Sequence, residues 1–378
     1  MVQQIELKRG LKDVYIDKSE VSFIDGKEGK LIYRGYNIHD LAEKSTFEET
    51  IYLLLYGKLP TQKQLSKFES ELRASRNIPP EVVQIIRTVK NSHPMDVLRT
   101  AVSALAAFDP EVTDNSIEAT LRKGVRLTAQ VPTVVATHGR ILQGKEPVAS
   151  DPNLGQAANF MYTLFGKKPS AEDAKVMDTD FILHAEHGIN ASAFAARVAA
   201  STEADLHCAI VAGIATLKGP KHGGAAESVV IMAQEIGDES KAAEYVKKTL
   251  ESGGKITGFG HRVYKTVDPR AMHLRDRAKT MSEEKGDPKW FKILSKVAEQ
   301  MKPYEAKGIC VNVDFWSGAI YHLLGIPEYL YISIFTMGRV PGWTVQVTEQ
   351  FSDNILLRPM IQYTGPMDLP YVPISQRK

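Results

Sequence analysis

Residues 206–227 read LHCAIVAGIATLKGPKHGGAAE. The part HCAIVAGIATLK has the length of a helix and carries apolar side chains on most sides, and Gly219-Pro220 stops it sharply. A helix that is apolar all round offers water no face and must be buried by other helices. Residues 51–57, IYLLLYG, have the same character. Together these stretches imply a large, layered, mainly α protein rather than strands and helices alternating about a parallel sheet.

Helix punctuation lies on both sides. Ser45-Thr46-Phe47-Glu48 has the form of a capping box, and the helix after it stops at Gly57. Thr61 opens the next, with Leu65, Phe68 and Leu72 on one face, and Pro80 opens another. Helical patterns cover 94–107 and 116–142, and a polar connector rich in Gly and Pro covers 142–156. Ser170 with Asp173 starts a further capped helix, and residues 283–290 read as a surface loop. Strand signal is confined to residues 13–34, where VYI, VSFI and KLIYRGY are separated by turn residues, as in a short N-terminal hairpin. No fixed-period repeat occurs, which argues against a solenoid.

The 378 residues suit two or three domains, or one large domain with a smaller lobe. Basic and acidic residues nearly balance, 47 against 45, so no basic excess points to nucleic acid. No run of 18 apolar residues suggests a membrane span, and MVQQIELKRG lacks the apolar stretch of a signal peptide; a cytoplasmic compartment is expected. Cys208 and Cys310 sit in apolar runs and read as buried, reduced thiols.

Three places carry chemistry. In the first, His222 lies in a Gly-flanked turn just before the helix AAESVVIMAQEIG (225–237), where the helix dipole opposes protonation of the ring. A neutral histidine there can donate to a forming enolate oxygen; the alternative is a turn histidine bonding the backbone. The second is GFGHRVYKTVDPR (258–270), with His261, Arg262, Lys265 and Arg270. One ring and three cations suit carboxylates or phosphates, and the alternative is a solvated basic loop. The third is VNVDFWSG (311–318), where Asp314 is either a desolvated, reactive acid or a helix cap.

Residues 258–270 resemble the signature of the citrate synthase family, and GPKHGGA (219–225) and NVDFWSG (312–318) match that family's two other active-site segments in the same order. The opening residues 10–36, FEETIYLLLYGKLP (47–60) and RPMIQYTGP (358–366) resemble its short bacterial and archaeal type. The resemblance implies a multi-helical fold with a large domain (1–223 and 331–378) and a small domain (224–330) that closes over the site, with Gly223-Gly224 as hinge. It implies that Asp314 takes a proton from the acetyl group of acetyl-CoA, that His222 stabilises the enol, and that His261 stabilises and protonates the oxygen of the attacked ketone of oxaloacetate. His187, Arg270, Arg339 and Arg358 then correspond to the carboxylate-binding residues, with Arg358 donated across a homodimer. Lys255, Arg262 and Lys265 are candidates for CoA phosphate contacts. Citrate and CoA are the implied products, and no metal or other cofactor is implied.

Some positions depart from the family pattern: Gln346 stands where a histidine is usual after Gly-Trp, Pro341 lies beside it, and Lys221 replaces an apolar residue or arginine. The extra N-terminal domain of NADH-inhibited forms is missing, so no such inhibition is expected. 2-Methylcitrate synthase, which takes propionyl-CoA, is the nearest alternative. A metal hydrolase built on His184 and His187 with Glu186, and a non-catalytic helical scaffold, are more remote. Trp316 and His322 are expected in the core with Tyr52, Tyr56 and Phe68; His39, His93, His138, His207 and His273 show no partner pattern and are expected at the surface or behind the site.

Overall fold

The computed structural model describes residues 6–11 and 13–377. Among these, strands are few. β1 (Ser22–Asp25), β2 (Lys30–Tyr33) and β3 (Tyr36–Asn37) form one antiparallel sheet in the order β1-β2-β3, with Ser22 opposite Tyr33 and Ile32 opposite Asn37. Val14–Ile16, expected as a strand, joins no sheet. The chain beside it is held by helices instead: Asp17 pairs with Arg197, and the Glu20 amide donates to Glu349.

Helices dominate. α1 (Ile38–Lys44), α2 (Phe47–Tyr56), α3 (Gln62–Ala74), α4 (Pro80–Val89) and α5 (Pro94–Leu105) lead to the long α6 (Ile117–Leu142). Then come α7 (Gln156–Phe165), α8 (Ala171–His184), α9 (Ala191–Ser201) and α10 (Leu206–Leu217). α11 (Ala225–Ile236), α12 (Ala242–Glu251), α13 (Pro269–Glu284), α14 (Lys289–Met301) and α15 (Asp314–Leu323) precede the long α16 (Tyr331–Ser352). Thr61 with Gln64 caps α3, Pro80 is the first residue of α4, and Ser170 caps α8. The capping box of α2 is Thr46 with Glu49, one residue later than expected. Glu48 is thereby free to turn inward and accept from the Gln156 amide at 2.6 Å.

α16 is the centre of the larger group of helices. It packs on α6, α8, α9, α10 and α2, and every side chain from Tyr331 to Val347 is buried although Pro341 lies inside it. α10 packs between α9, α5 and α16, and at Gly213 the two helices approach so closely that a Cβ would stand 3.0 Å from the Trp343 ring. The outer face of α10 is open: Cys208 is exposed, not buried, because it shares that face with Ala215. Cys310 is buried. α11 to α15 pack chiefly on one another and meet the rest where α13 touches α1 and α8, and α11 touches α16.

Several bland side chains also differ from expectation. His138 and His207 are inside, His138 bonding the Lys90 carbonyl at 2.9 Å and His207 facing Asp109 and Asp205. His93 caps α5, and His39 and His273 bond each other. Trp316, Tyr52 and Phe68 are core, whereas Tyr56 stacks on Tyr52 at the exposed edge and His322 stacks half-buried on Trp290. Among the described residues no helix is long and apolar enough to cross a membrane.

Candidate active site

The loop Gly258–Asp268 is laced to the segment before α15. Gly260 N–H donates to Cys310 O at 2.8 Å, Asn312 N–H to Gly258 O at 2.9 Å, and Asp268 N–H to Val311 O at 3.1 Å. Gly258 has a φ of +82°, and a Cβ there would lie 2.6 Å from the Phe315 ring, so glycine alone permits this approach. The lacing brings His261, Arg270 and Asp314 together although they are far apart along the chain. Asp268 completes the junction. Its carboxylate caps α13, grips the Arg270 guanidinium at 2.9 and 2.7 Å, and accepts the Val313 amide at 3.3 Å.

His261 is held as a neutral donor. Its Nδ1 accepts from the amides of Val263 (3.0 Å) and Tyr264 (3.2 Å), which leaves the proton on Nε2. Burial and the Arg270 cation push its pKa down to about 4. Its ring lies 5.1 Å from that of His187, whose Nε2 bonds the Tyr264 hydroxyl at 3.1 Å. Burial and the nearby cations hold His187 neutral as well.

His222 sits in a tight turn: its amide donates to Gly219 O at 2.8 Å, and Gly223 N–H donates to Leu217 O at 3.0 Å. Its Nε2 is 2.8 Å from the Ser192 hydroxyl, which also accepts from Trp343 Nε1 at 3.1 Å, and the Ser192 amide donates to the same Nε2 at 3.3 Å. An acceptor Nε2 places the ring proton on Nδ1. Burial, then the Arg339 cation, lowers its pKa to about 4. The Phe335 ring is the shared wall: His222 lies 6.4 Å from it, His184 4.6 Å, and the Arg339 guanidinium 4.8 Å.

Asp314 is the first residue of α15, yet its side chain caps nothing; its own amide donates to Asn312 Oδ1 at 3.1 Å. The carboxyl Oδ1 is buried without a partner, and burial raises the pKa to about 6. A helix cap would show neither property. Arg339 Nη2, His184 Nε2 and Glu186 Oε2 are likewise buried without partners. Buried polar atoms are rarely left so in pure scaffold, and a cluster of them fits a polar ligand. Lone pairs and cations therefore face a site that the arginines make suitable for carboxylates.

The structure thus gathers His222, His261, Asp314, His187, Arg270 and Arg339. Arg358 is not among them. It is exposed on the extended stretch after α16 and, among the described residues, makes no ion pair. Lys255, Arg262 and Lys265 are exposed on the loop side of the site, Arg262 donating to Gly10 O at 3.3 Å. His184 and His187 are turned to different partners, the Asp180 carbonyl and the Tyr264 hydroxyl, so the HAEH motif does not present a pair of rings to one ion. Ser192, Tyr264, Asp268 and Phe335 are contributors that sequence reading missed. Each is an ordinary residue type whose role comes only from what the fold sets beside it.

Comparison with known proteins agrees with this geometry. Residues 10–360 match the family described as "Citrate synthase, C-terminal domain". Citrate synthase of Haloferax volcanii is 42% identical over 98% of this chain and 99% of its own. 2-Methylcitrate synthase 1 of Corynebacterium glutamicum is 39% identical over 98% and 99%. The ternary complex of carboxymethyl coenzyme A and oxaloacetate with citrate synthase from Thermoplasma acidophilum superposes with a TM-score of 0.94 at 33% identity, covering 98% of this chain and 100% of that one. Fold and relatives together define an enzyme of the class that transfers an acyl group and converts it to alkyl in doing so. The chain belongs to the citrate synthase family.

Proposed function

We propose that the enzyme condenses acetyl-CoA with oxaloacetate and water to give citrate and CoA. The observation that carries this reading is the carboxyl of half-buried Asp314, whose Oδ1 is buried without a partner, in one cluster with two neutral imidazoles and the buried arginines Arg270 and Arg339. Ionised Asp314 takes a proton from the acetyl methyl, and the enolate oxygen receives the N–H of His222 as it forms. The enol carbon attacks the ketone carbon of oxaloacetate. The new alkoxide is met by His261 Nε2–H, while Arg270 and Arg339 hold the substrate carboxylates. Water then cleaves the citryl thioester and releases CoA. The arginines supply the positive charge that the substrates call for, so the reading includes no metal; full activity after exhaustive chelation is the expected result.

The reading includes a small lobe, residues 224–330, closing on a larger one, with Lys255, Arg262 and Lys265 facing the CoA phosphates. It also includes a homodimer in the cytoplasm. The residues around Arg358 support the dimer: Met360 is 90% and Ile361 93% exposed, an apolar tail of the kind that a second subunit covers. The open apolar face of α10 supports it too. In such a dimer Arg358 of the partner subunit completes the carboxylate site. Mixing Asp314→Asn with Arg358→Ala chains should restore activity that neither has alone; no complementation would remove the exchange.

Propionyl-CoA is a second reading, favoured by the similarity to the Corynebacterium 2-methylcitrate synthase. One methyl is worth about 1–3 kcal/mol, within reach of a few side chains. A thiol-release assay with each thioester, with and without oxaloacetate, tests both. Release that ignores oxaloacetate would sink the condensation.

A further inference from the structure

Glu186 is a fully buried carboxyl that the chemistry above does not use. Its Oε1 accepts from Ser22 Oγ at 3.1 Å and Gln346 Nε2 at 3.0 Å. Arg197 Nη1 donates to the Gln346 oxygen at 3.1 Å, which fixes that amide and turns its NH₂ to Glu186. The other carboxyl oxygen, Oε2, has no partner. It packs over Gly342, where a Cβ would stand 2.6 Å away, three residues after Arg339 on α16. Arg339 Nη2 also has no partner. Glu186, from the connection between α8 and α9, thus packs on α16 one helical turn from Arg339, and both opposite charges are buried, each with a free polar atom.

Burial raises Glu186 to about 7 and lowers Arg339 to about 10, and each is the largest charge opposing the other's shift. The other groups facing the pair are Tyr33 of β2, whose hydroxyl bonds the Glu186 backbone, Arg270, Asp314, His187 and His222 around Arg339, and Arg197 behind Gln346 with Glu349 at 3.5 Å.

We propose that Glu186 is a positioning residue that sets how strongly Arg339 holds a carboxylate of the 2-oxo acid. Neutral, it leaves the arginine's charge to the substrate; ionised, it takes a share of that charge. The inference rests on the reading of Arg339 as a substrate-binding residue. Oxaloacetate is a dianion throughout the relevant range, so a pH effect on its KM near neutrality belongs to the protein.

The test is the oxaloacetate KM between about pH 6 and 8.5, measured by thiol release from acetyl-CoA. The wild-type KM should rise roughly three- to tenfold across this window, and that of Glu186→Gln should stay at the low-pH plateau, with the kcat profile of the two enzymes the same in shape. Ser22→Ala removes a donor to the charged form, so its KM midpoint should move up by about half a pH unit. A flat wild-type profile, or a Glu186→Gln profile that still rises, overturns the proposal. If Glu186→Gln does not fold, an unmoved midpoint in Ser22→Ala does so. Arg339→Lys separates the two readings. An unchanged KM in that variant removes the substrate role of Arg339 itself. A raised KM there, with Glu186 variants like wild type, removes only the role of Glu186.

Discussion

Asp268 holds the guanidinium of Arg270 through two hydrogen bonds, 2.9 and 2.7 Å long, with both side chains buried. The same carboxylate caps α13 and takes the amide next to Asp314. One acid therefore fixes the cation proposed to hold a substrate carboxylate and the start of the helix that carries the proposed base. Burial alone would raise the Asp268 pKa; the Arg270 cation and its hydrogen bonds outweigh burial and hold it below the ordinary range.

Asp268→Asn should therefore leave Arg270 buried and uncompensated. Breaking such a pair costs about 3–5 kcal/mol. The expected result is a clear loss in denaturant midpoint together with a raised oxaloacetate KM. In the wild type this contribution is complete above the unfolded carboxylate pKa of about 3.9 and is lost as pH falls through the lower folded value. A variant as stable as wild type at pH 7 would show that the pair does not hold the junction.

Asp314 carries the opposite sign. Its pKa is raised to about 6 by burial, so the ionised form that the proposed proton abstraction needs is the costly one in the folded state. kcat should fall on the acid side with an inflection near 6. Asp314→Asn should lower kcat by about 10²–10⁴. The same variant should be more stable than wild type at pH 8, by an amount of order 1 kcal/mol, and should lose this advantage towards pH 4. An inactive variant that is also destabilised at pH 8 would point to a structural role instead.

Much of this was legible in the sequence. Gly219-Pro220 and Gly258 mark turns whose geometry follows from backbone rules, and helices α3, α4 and α8 begin where their capping residues stand. The misread capping box shows the limit: Ser45/Glu48 and Thr46/Glu49 both fit the pattern, and only the pull of Gln156 on Glu48 decides between them. Val14–Ile16 has strand propensity but no partner edge, so tertiary contacts override it. The roles of Ser192 and Phe335 depend on helices α9 and α16 crossing near His222, a relation that no local pattern encodes.

His261 gives a prediction about which nitrogen matters. Its Nδ1 is occupied by two backbone amides, so Nε2–H is the atom left for the alkoxide of the proposed condensation. Glutamine can place an N–H near that position and alanine cannot. His261→Ala should lower kcat by about 10²–10³, as removal of an oxyanion donor does. His261→Gln should retain part of that loss, measured at saturating oxaloacetate. Equal rates for the two variants would argue that the imidazole acts otherwise than as a donor.

The contact between His39 Nδ1 and His273 Nε2, 2.8 Å long, joins α1 to α13, the helix that begins beside Arg270. Such a bond needs one ring to donate and the other to accept, so at most one of the two can be protonated. Burial and the facing ring lower the pKa of His273, with Glu43 and Asp276 pulling it back up and Arg277 pushing it down. A histidine whose folded pKa is depressed binds protons more readily unfolded, so stability is full above the unfolded pKa of about 6.5 and falls as pH drops below it. Wild-type melting temperature should decline between pH 7.5 and 5.5 in part for this reason, and His273→Gln, which cannot take up the proton, should flatten that decline. The substitution itself removes a hydrogen bond worth about 1 kcal/mol and should lower the plateau at pH 7.5 accordingly. Parallel melting curves for variant and wild type over that range would mean that the histidine pair opens before either ring titrates.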